Sequence, residues 1–71
     1  MSQWNVTIAT VRDTGTELVR GRQIWVVDVA RPHEARELAL TAAVTPDAAR
    51  HRRGALLDTT SIDVDEWQNG W

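Results

Sequence analysis

The chain contains no cysteine and no lysine among its 71 residues. Without thiols it forms neither disulfides nor thiolate metal sites, so a domain this short must rely on dense packing or on self-association. The 8 charged basic residues are all arginine, whose codons are rich in GC. This indicates a high-GC bacterium, or a phage or plasmid that replicates in one. The net charge of −2 gives no global field that favours nucleic acid or an anionic membrane.

Membrane spans and targeting segments are also lacking. No apolar run approaches the ~20 residues needed to cross a bilayer. Residues 1–5 do not show the basic and then apolar pattern of a signal peptide. We therefore expect a cytoplasmic protein with no membrane partner.

Catalytic patterns are scarce. Asp13-Thr14-Gly15 matches the triplet of aspartic proteases, and Asp58-Thr59-Thr60 is a faint second copy. Those enzymes need two carboxylates that share one proton, in a structure much larger than this chain allows. A solvent-facing turn explains the first triplet directly. An enzyme would be indicated only if Asp13 and Asp58 faced each other in a cleft.

Metal and cofactor signals are equally weak. His33 and Glu37 stand four residues apart on a predicted helix. Two ligands make an incomplete metal site, and the pair also fits an exposed helical face. The glycines are isolated, so no phosphate-cradling loop is present. We expect no metal, no cofactor and no enzymatic activity.

Hydrophobic periodicity predicts the element order β-β-α-(α)-β. Residues 3–12 and 22–30 alternate as strands on either side of a turn at 13–16, which predicts an antiparallel hairpin. Residues 17–21 either continue this hairpin or form a loop. Pro32 opens a helix whose alanine stripe can approach a sheet closely. Residues 46–53 form a short second helix, which Gly54 ends.

The last strand, residues 55–66, is expected to pair with the free side of the first. Its inward positions are predicted to be Leu56, Ile62 and Val64, with Asp58 in the same phase. The fold class is therefore α+β: a three-stranded antiparallel sheet with one main helix packed on one face. Residues 1–71 form a single domain, with a C-terminal tail at 67–71 that is expected to be flexible.

The 4 tryptophans are large apolar side chains for so short a chain. Trp25, in mid-strand, is expected in the core. Trp4 and Trp67 lie at the ends of neighbouring strands and are expected to pair across the sheet. Trp71 follows Gly70 and either folds back over the sheet or anchors a partner.

The second strand is apolar on both faces, which predicts either a central strand or one whose second face meets a partner. The residues predicted to bind that partner are Trp71, Trp67, Ile24 and Val26. A nearby acidic run can present negative charge to a basic partner, and it consists of Asp58, Asp63, Asp65 and Glu66.

Arg50, Arg52 and Arg53 form the only basic cluster, together with His51. Near the end of a short helix, these side chains suit the negative end of the helix dipole. They span about a full turn and do not form one stripe. Two alternative interpretations are contact with phosphates, with an exposed tryptophan stacking on bases, and contact with an acidic protein partner.

These patterns favour a small non-catalytic protein–protein interaction module. We interpret the chain as a regulatory or adaptor protein, phage- or plasmid-encoded, that binds a protein partner or a second copy of itself as a homodimer. The alternative is a nucleic-acid-binding protein that uses the arginine cluster at 50–53.

Overall fold

A computed structural model describes residues 2–67 and confirms the predicted α+β fold. Three antiparallel strands form one sheet in the order β2-β1-β3, so the last strand does pair with the free side of the first. The elements are β1 (Ser2–Asp13), β2 (Leu18–Val29), α1 (Pro32–Ala43), α2 (Pro46–His51) and β3 (Leu56–Glu66). Within the described part of the chain, no helix is long and apolar enough to cross a membrane.

The hairpin of β1 and β2 extends through the segment for which the sequence left two alternatives. Its register runs without a shift down to Asp13 opposite Leu18, so β2 begins before residue 22. The Asp13 carboxylate accepts a hydrogen bond from the Gly15 N–H at 2.8 Å, and Gly15 has a φ of 89°. Aspartate and glycine are therefore present because the turn requires a local acceptor and a left-handed backbone.

Helix α1 packs on one face of the sheet through its alanines. Ala35, Ala39 and Ala43 are fully buried against Val6 and Ile8 of β1. Alanine lets the helix backbone approach the strands closely, which leaves no space for larger side chains. The largest fully buried side chains are Ile8 and Val6, so the core is thin.

The tryptophans surround this core. Trp25, predicted to lie in the core, packs against it but is only half-buried. Trp4 also packs there, and its indole Nε1 donates to the Val29 carbonyl at 3.0 Å. The predicted pairing of Trp4 with Trp67 is wrong, because Glu66 stands opposite Trp4. The Trp67 N–H instead donates to the Gln3 carbonyl at 2.7 Å.

A bulge in β3 changes which of its residues point inward. The register moves from Ile8 opposite Ile62 to Ala9 opposite Asp58, so residues 59–61 have no partner on β1. Three extra residues reverse the alternation of side chains below the bulge. The predicted inward position of Leu56 is therefore wrong: Leu56 is 74% exposed, and Leu57 packs against the core in its place.

Helix α2 ends at His51, two residues before the predicted end. Arg53 has a φ of 54° and Gly54 a φ of 77°, so the chain leaves the helix through two consecutive left-handed residues. Only glycine adopts that conformation without a steric cost.

The alanine packing makes a first prediction. Ala39→Leu should lower the free energy of unfolding by about 1–3 kcal/mol, because a larger side chain forces α1 away from the sheet. Urea denaturation measures the change. Arg36→Leu introduces the same residue at an exposed position of the same helix and should change stability by less than about 0.5 kcal/mol. Equal effects of the two substitutions would contradict the packing argument.

Candidate binding surface

One face of the sheet has no helix over it in the part of the chain that the structure describes, and we call it the open face. Alternate residues of β1 form its centre, from Gln3 to Val11. Since residues opposite each other in the ladder share a face, the two neighbouring strands complete it. The outer positions are Arg20, Arg22, Ile24, Val26 and Asp28 on β2 and Leu56, Asp58, Asp63 and Asp65 on β3.

Large apolar side chains are concentrated on the open face. Of the 8 exposed large hydrophobic residues in the described chain, the ladder phase places 5 on this face. They are Leu18, Ile24, Val26, Leu56 and Trp67. Single exposed apolar residues are normal, but a group on one face is typical of an interaction surface.

Ile24 and Val26, both predicted to bind a partner, are 55% and 54% exposed. They stand opposite Thr7 and Asn5, so they are adjacent on the open face. Trp67 lies across β1 from them, beside Gln3 at the other edge. Trp71 lies outside the described residues.

Sequence reasoning does not find two members of the surface. The sequence leaves Leu18 in either a loop or a strand, and the unbroken hairpin register puts it in β2. The alternation of the sequence predicts Leu56 in the core because the bulge is not visible in that alternation. The sequence signal that indicates the bulge is Asp58-Thr59-Thr60, since these residues favour local side-chain hydrogen bonds over a regular ladder.

The bulge is held by Asp58. Its carboxylate accepts hydrogen bonds from the Thr60 hydroxyl at 2.5 Å and from the Thr60 N–H at 3.1 Å. These two bonds, the hydroxyl first, hold the pKa of Asp58 below its usual value, and the positive charge of Arg20 acts in the same direction. With Asp63 and Asp65, Asp58 makes β3 the acidic side of the open face.

The arginine cluster divides into three different roles. Arg50 forms an exposed ion pair with Asp47 within α2. The guanidinium of Arg52 is half-buried and donates to the Ala43 carbonyl at 2.6 Å and to the Ala55 carbonyl at 2.8 Å. Arg53 is the residue at positive φ. Contact of these residues with nucleic acid stays a prediction. The Arg52 guanidinium already forms hydrogen bonds that link the end of α1 to the start of β3.

A groove of about 450 Å³ lies between β2 and α2. The Gln23 Nε2 donates to the Ala48 carbonyl at 3.1 Å and links the two elements. Other lining residues include Ile24, Trp25, Ala42 and His51. Sequence reasoning does not find this groove because it depends on where α2 lies relative to the strand.

The carboxylates of the protease-like triplets are kept apart. Asp13 stands at the hairpin end and Asp58 opposite Ala9, four residues further along β1. This separates them by about 13 Å along the strand direction, and each accepts hydrogen bonds from its own turn or bulge. Among residues 2–67, no group of three or more potential ligands is placed to hold a metal ion.

No protein-family model matches the chain, and neither a curated protein nor a solved structure matches it. The geometry of the open face is therefore the basis for inferring a function.

The role of Arg52 makes a second prediction. Arg52→Ala should lower the free energy of unfolding by about 1–3 kcal/mol, because the two carbonyls lose their charged donor. Arg50→Ala removes only an exposed ion pair and should change it by less than about 0.5 kcal/mol. Urea denaturation compares them. A larger loss for Arg50→Ala would show that the guanidinium of Arg52 is not structural.

The bulge makes a third prediction. Thr60→Val removes the hydroxyl donor and should raise the pKa of Asp58 towards its usual value, as measured by NMR titration of the carboxyl carbon. Because the pKa is lowered in the folded state, the stability from this contact is present at neutral pH and is lost as the pH falls through the folded-state pKa. The difference in the free energy of unfolding between wild type and variant should therefore shrink as the pH falls through that pKa. Thr59→Val is the matched control and should leave the pKa of Asp58 unchanged.

Proposed function

We propose that the protein is a small non-catalytic protein–protein interaction module whose open face binds a partner protein. The observation that carries the proposal is the group of exposed apolar residues on that face, including Ile24, Val26 and Trp67. Burial of such side chains yields about 25 cal/mol for each Å² of apolar surface. A partner that covers the face therefore gains free energy that the isolated chain leaves unused.

The charges of the open face indicate which kind of partner would bind it. Asp58, Asp63 and Asp65 form an acidic border on β3, separated by β1 from the apolar residues of β2. A partner with an apolar patch flanked by basic residues matches this pattern, and opposite charges at the rim increase the rate of association.

The wider role belongs to the same proposal. A cytoplasmic regulatory or adaptor protein, encoded by a phage or plasmid of a high-GC host and active as a homodimer, is consistent with the arginine usage and the small size. Trp71 stays in the proposed contact set, although it lies outside the described residues. Catalysis has no part in the proposal.

The fourth prediction tests the open face. The tagged protein is incubated with lysate of its source organism, with and without nuclease treatment, and the retained proteins are identified and quantified. Ile24→Thr combined with Val26→Thr should reduce retention of a defined partner by about tenfold or more, because central apolar contacts dominate binding energy. Threonine favours strands, so the fold should be kept. Trp67→Ser should weaken retention in the same direction.

Leu38→Thr is the control, since Leu38 is 49% exposed on α1, away from the open face. Equal retention by the wild type and the Ile24/Val26 variant would contradict the proposed surface. Retention that disappears on nuclease treatment would favour the arginine cluster instead.

A further inference from the structure

The two edges of the sheet differ in their readiness to pair with another strand. The edge formed by β3 is interrupted by the bulge at 59–61 and bordered by carboxylates, including Glu66 in the inward phase opposite Trp4. Bulges and charged side chains, inward-pointing charges above all, are the features that prevent edge pairing. The edge formed by β3 is therefore protected.

The edge formed by β2 has no such protection. Its 12 residues keep one register with β1 throughout, with no bulge and no proline. Its inward positions carry no charged side chain, and they are Val19, Gly21, Gln23, Trp25, Val27 and Val29. In the described chain, β2 has a strand on one side only. This edge therefore offers unpaired backbone groups to an added strand.

The sequence of β2 is complementary to itself when it is read antiparallel about Trp25. The segment is Arg22-Gln23-Ile24-Trp25-Val26-Val27-Asp28. With Trp25 of two copies opposite each other, each Ile24 meets a Val26 and each Arg22 meets an Asp28. Apolar pairs and opposite charges are the cross-strand pairs that stabilise antiparallel strands.

Neighbouring registers lose this match. With Ile24 on the axis, each Arg22 would stand opposite a Val26. With Val26 on the axis, each Ile24 would stand opposite an Asp28. Only the register centred on Trp25 satisfies the apolar and the charged pairs together.

The groove borders the same stretch of the edge. It is lined by Gln23 and Trp25, whose inward side chains would have Val27 and Trp25 of the second copy as cross-strand neighbours. Its volume of about 450 Å³ provides space on the helix side of the sheet for these apolar side chains. On the other side, the Ile24 and Val26 side chains of both copies would form one cluster.

We propose that two copies of the chain pair their β2 edges antiparallel about Trp25. The product is a two-fold symmetric dimer with a continuous six-stranded sheet in the order β3-β1-β2-β2-β1-β3, and a symmetric interface of this kind is closed. The inference rests on the homodimer of the proposed function and deepens it, because it names the paired strands and their register. Edge pairing leaves the outer surface of both open faces accessible and joins them into one surface.

Charge reversal at the paired positions tests the register. Arg22→Asp places a new aspartate against Asp28 of the second copy, and Asp28→Arg places a new arginine against Arg22. Each single variant should raise the dimer dissociation constant by about tenfold or more, since like charges then meet at two symmetric positions. The double variant, with both substitutions in one chain, should restore the dimer. Analytical ultracentrifugation of a dilution series measures the association of the 8.0 kDa chain.

Mixing the two single variants is the sharpest measurement. The Arg22→Asp chain carries acidic residues at both positions and the Asp28→Arg chain carries arginines, so every charged cross-strand pair in a mixed dimer is attractive. A dimer that forms in the mixture but in neither variant alone would support the proposal. Circular dichroism of each variant confirms that it is folded, and Arg20→Asp, on the same strand outside the complementary segment, is the control.

Three results would overturn the inference. They are a wild type that stays monomeric across the dilution series, a dimer that both single reversals leave intact, and a dimer that neither the double variant nor the mixture restores. The first of them would also remove the homodimer from the proposed role. Binding of a partner by the open face is tested separately, through retention by the Ile24, Val26 and Trp67 variants. A wild type that retains no partner but forms a charge-sensitive dimer would reject the interaction module and keep the edge pairing.

Discussion

The close packing of α1 on β1 is the contact on which the rest of the structure depends. Ala35, Ala39 and Ala43 are buried against Val6 and Ile8. In the described chain, Val6 and Ile8 are the largest side chains that are fully buried. Because a single 12-residue helix covers one face of a three-stranded sheet, the other face must be built from side chains that water tolerates or that another molecule covers. The mixed composition of the open face follows from this: threonine, asparagine and aspartate lie beside isoleucine, valine and leucine.

The order of the strands in the sheet determines where the exposed apolar residues lie. The strand that is apolar on both faces is β2, yet it lies at an edge while β1 takes the centre. A strand of that kind is usually found inside a sheet. Here the hairpin places β2 beside β1, and β3 returns on the far side of β1, so β2 keeps one free edge and one free face. Ile24 and Val26 belong both to the free edge and to the free face of β2, which is why partner binding and edge pairing can both involve this strand.

Much of the fold is predictable because it depends on local signals. Alternation identifies the strands, Pro32 and the alanine stripe identify α1, and the capping residue Thr45 identifies α2, where its hydroxyl accepts from the Ala48 N–H at 3.3 Å. The features that escape prediction depend on contacts distant in sequence or on irregular backbone. Asp58 and Thr60 create a bulge that reverses the phase of Leu56 and Leu57, and Arg52 joins Ala43 to Ala55 across a turn that no periodicity describes.

The thin core links the stability of the chain to association. A domain of this size buries only about 60% of the surface that its unfolded chain exposes, and much of what this chain buries is alanine. Any interface that forms only in the folded state adds to stability by mass action. Pairing of β2 edges would cover Trp25, which is half-exposed on the core side, and the flanks of Ile24 and Val26 on the open side, whose outer surface stays accessible. Folding and dimerisation would then become one coupled equilibrium. Selection for stability alone would then preserve the complementary segment around Trp25. The enlarged open face of the dimer would be a consequence of the strand pairing that provides this stability.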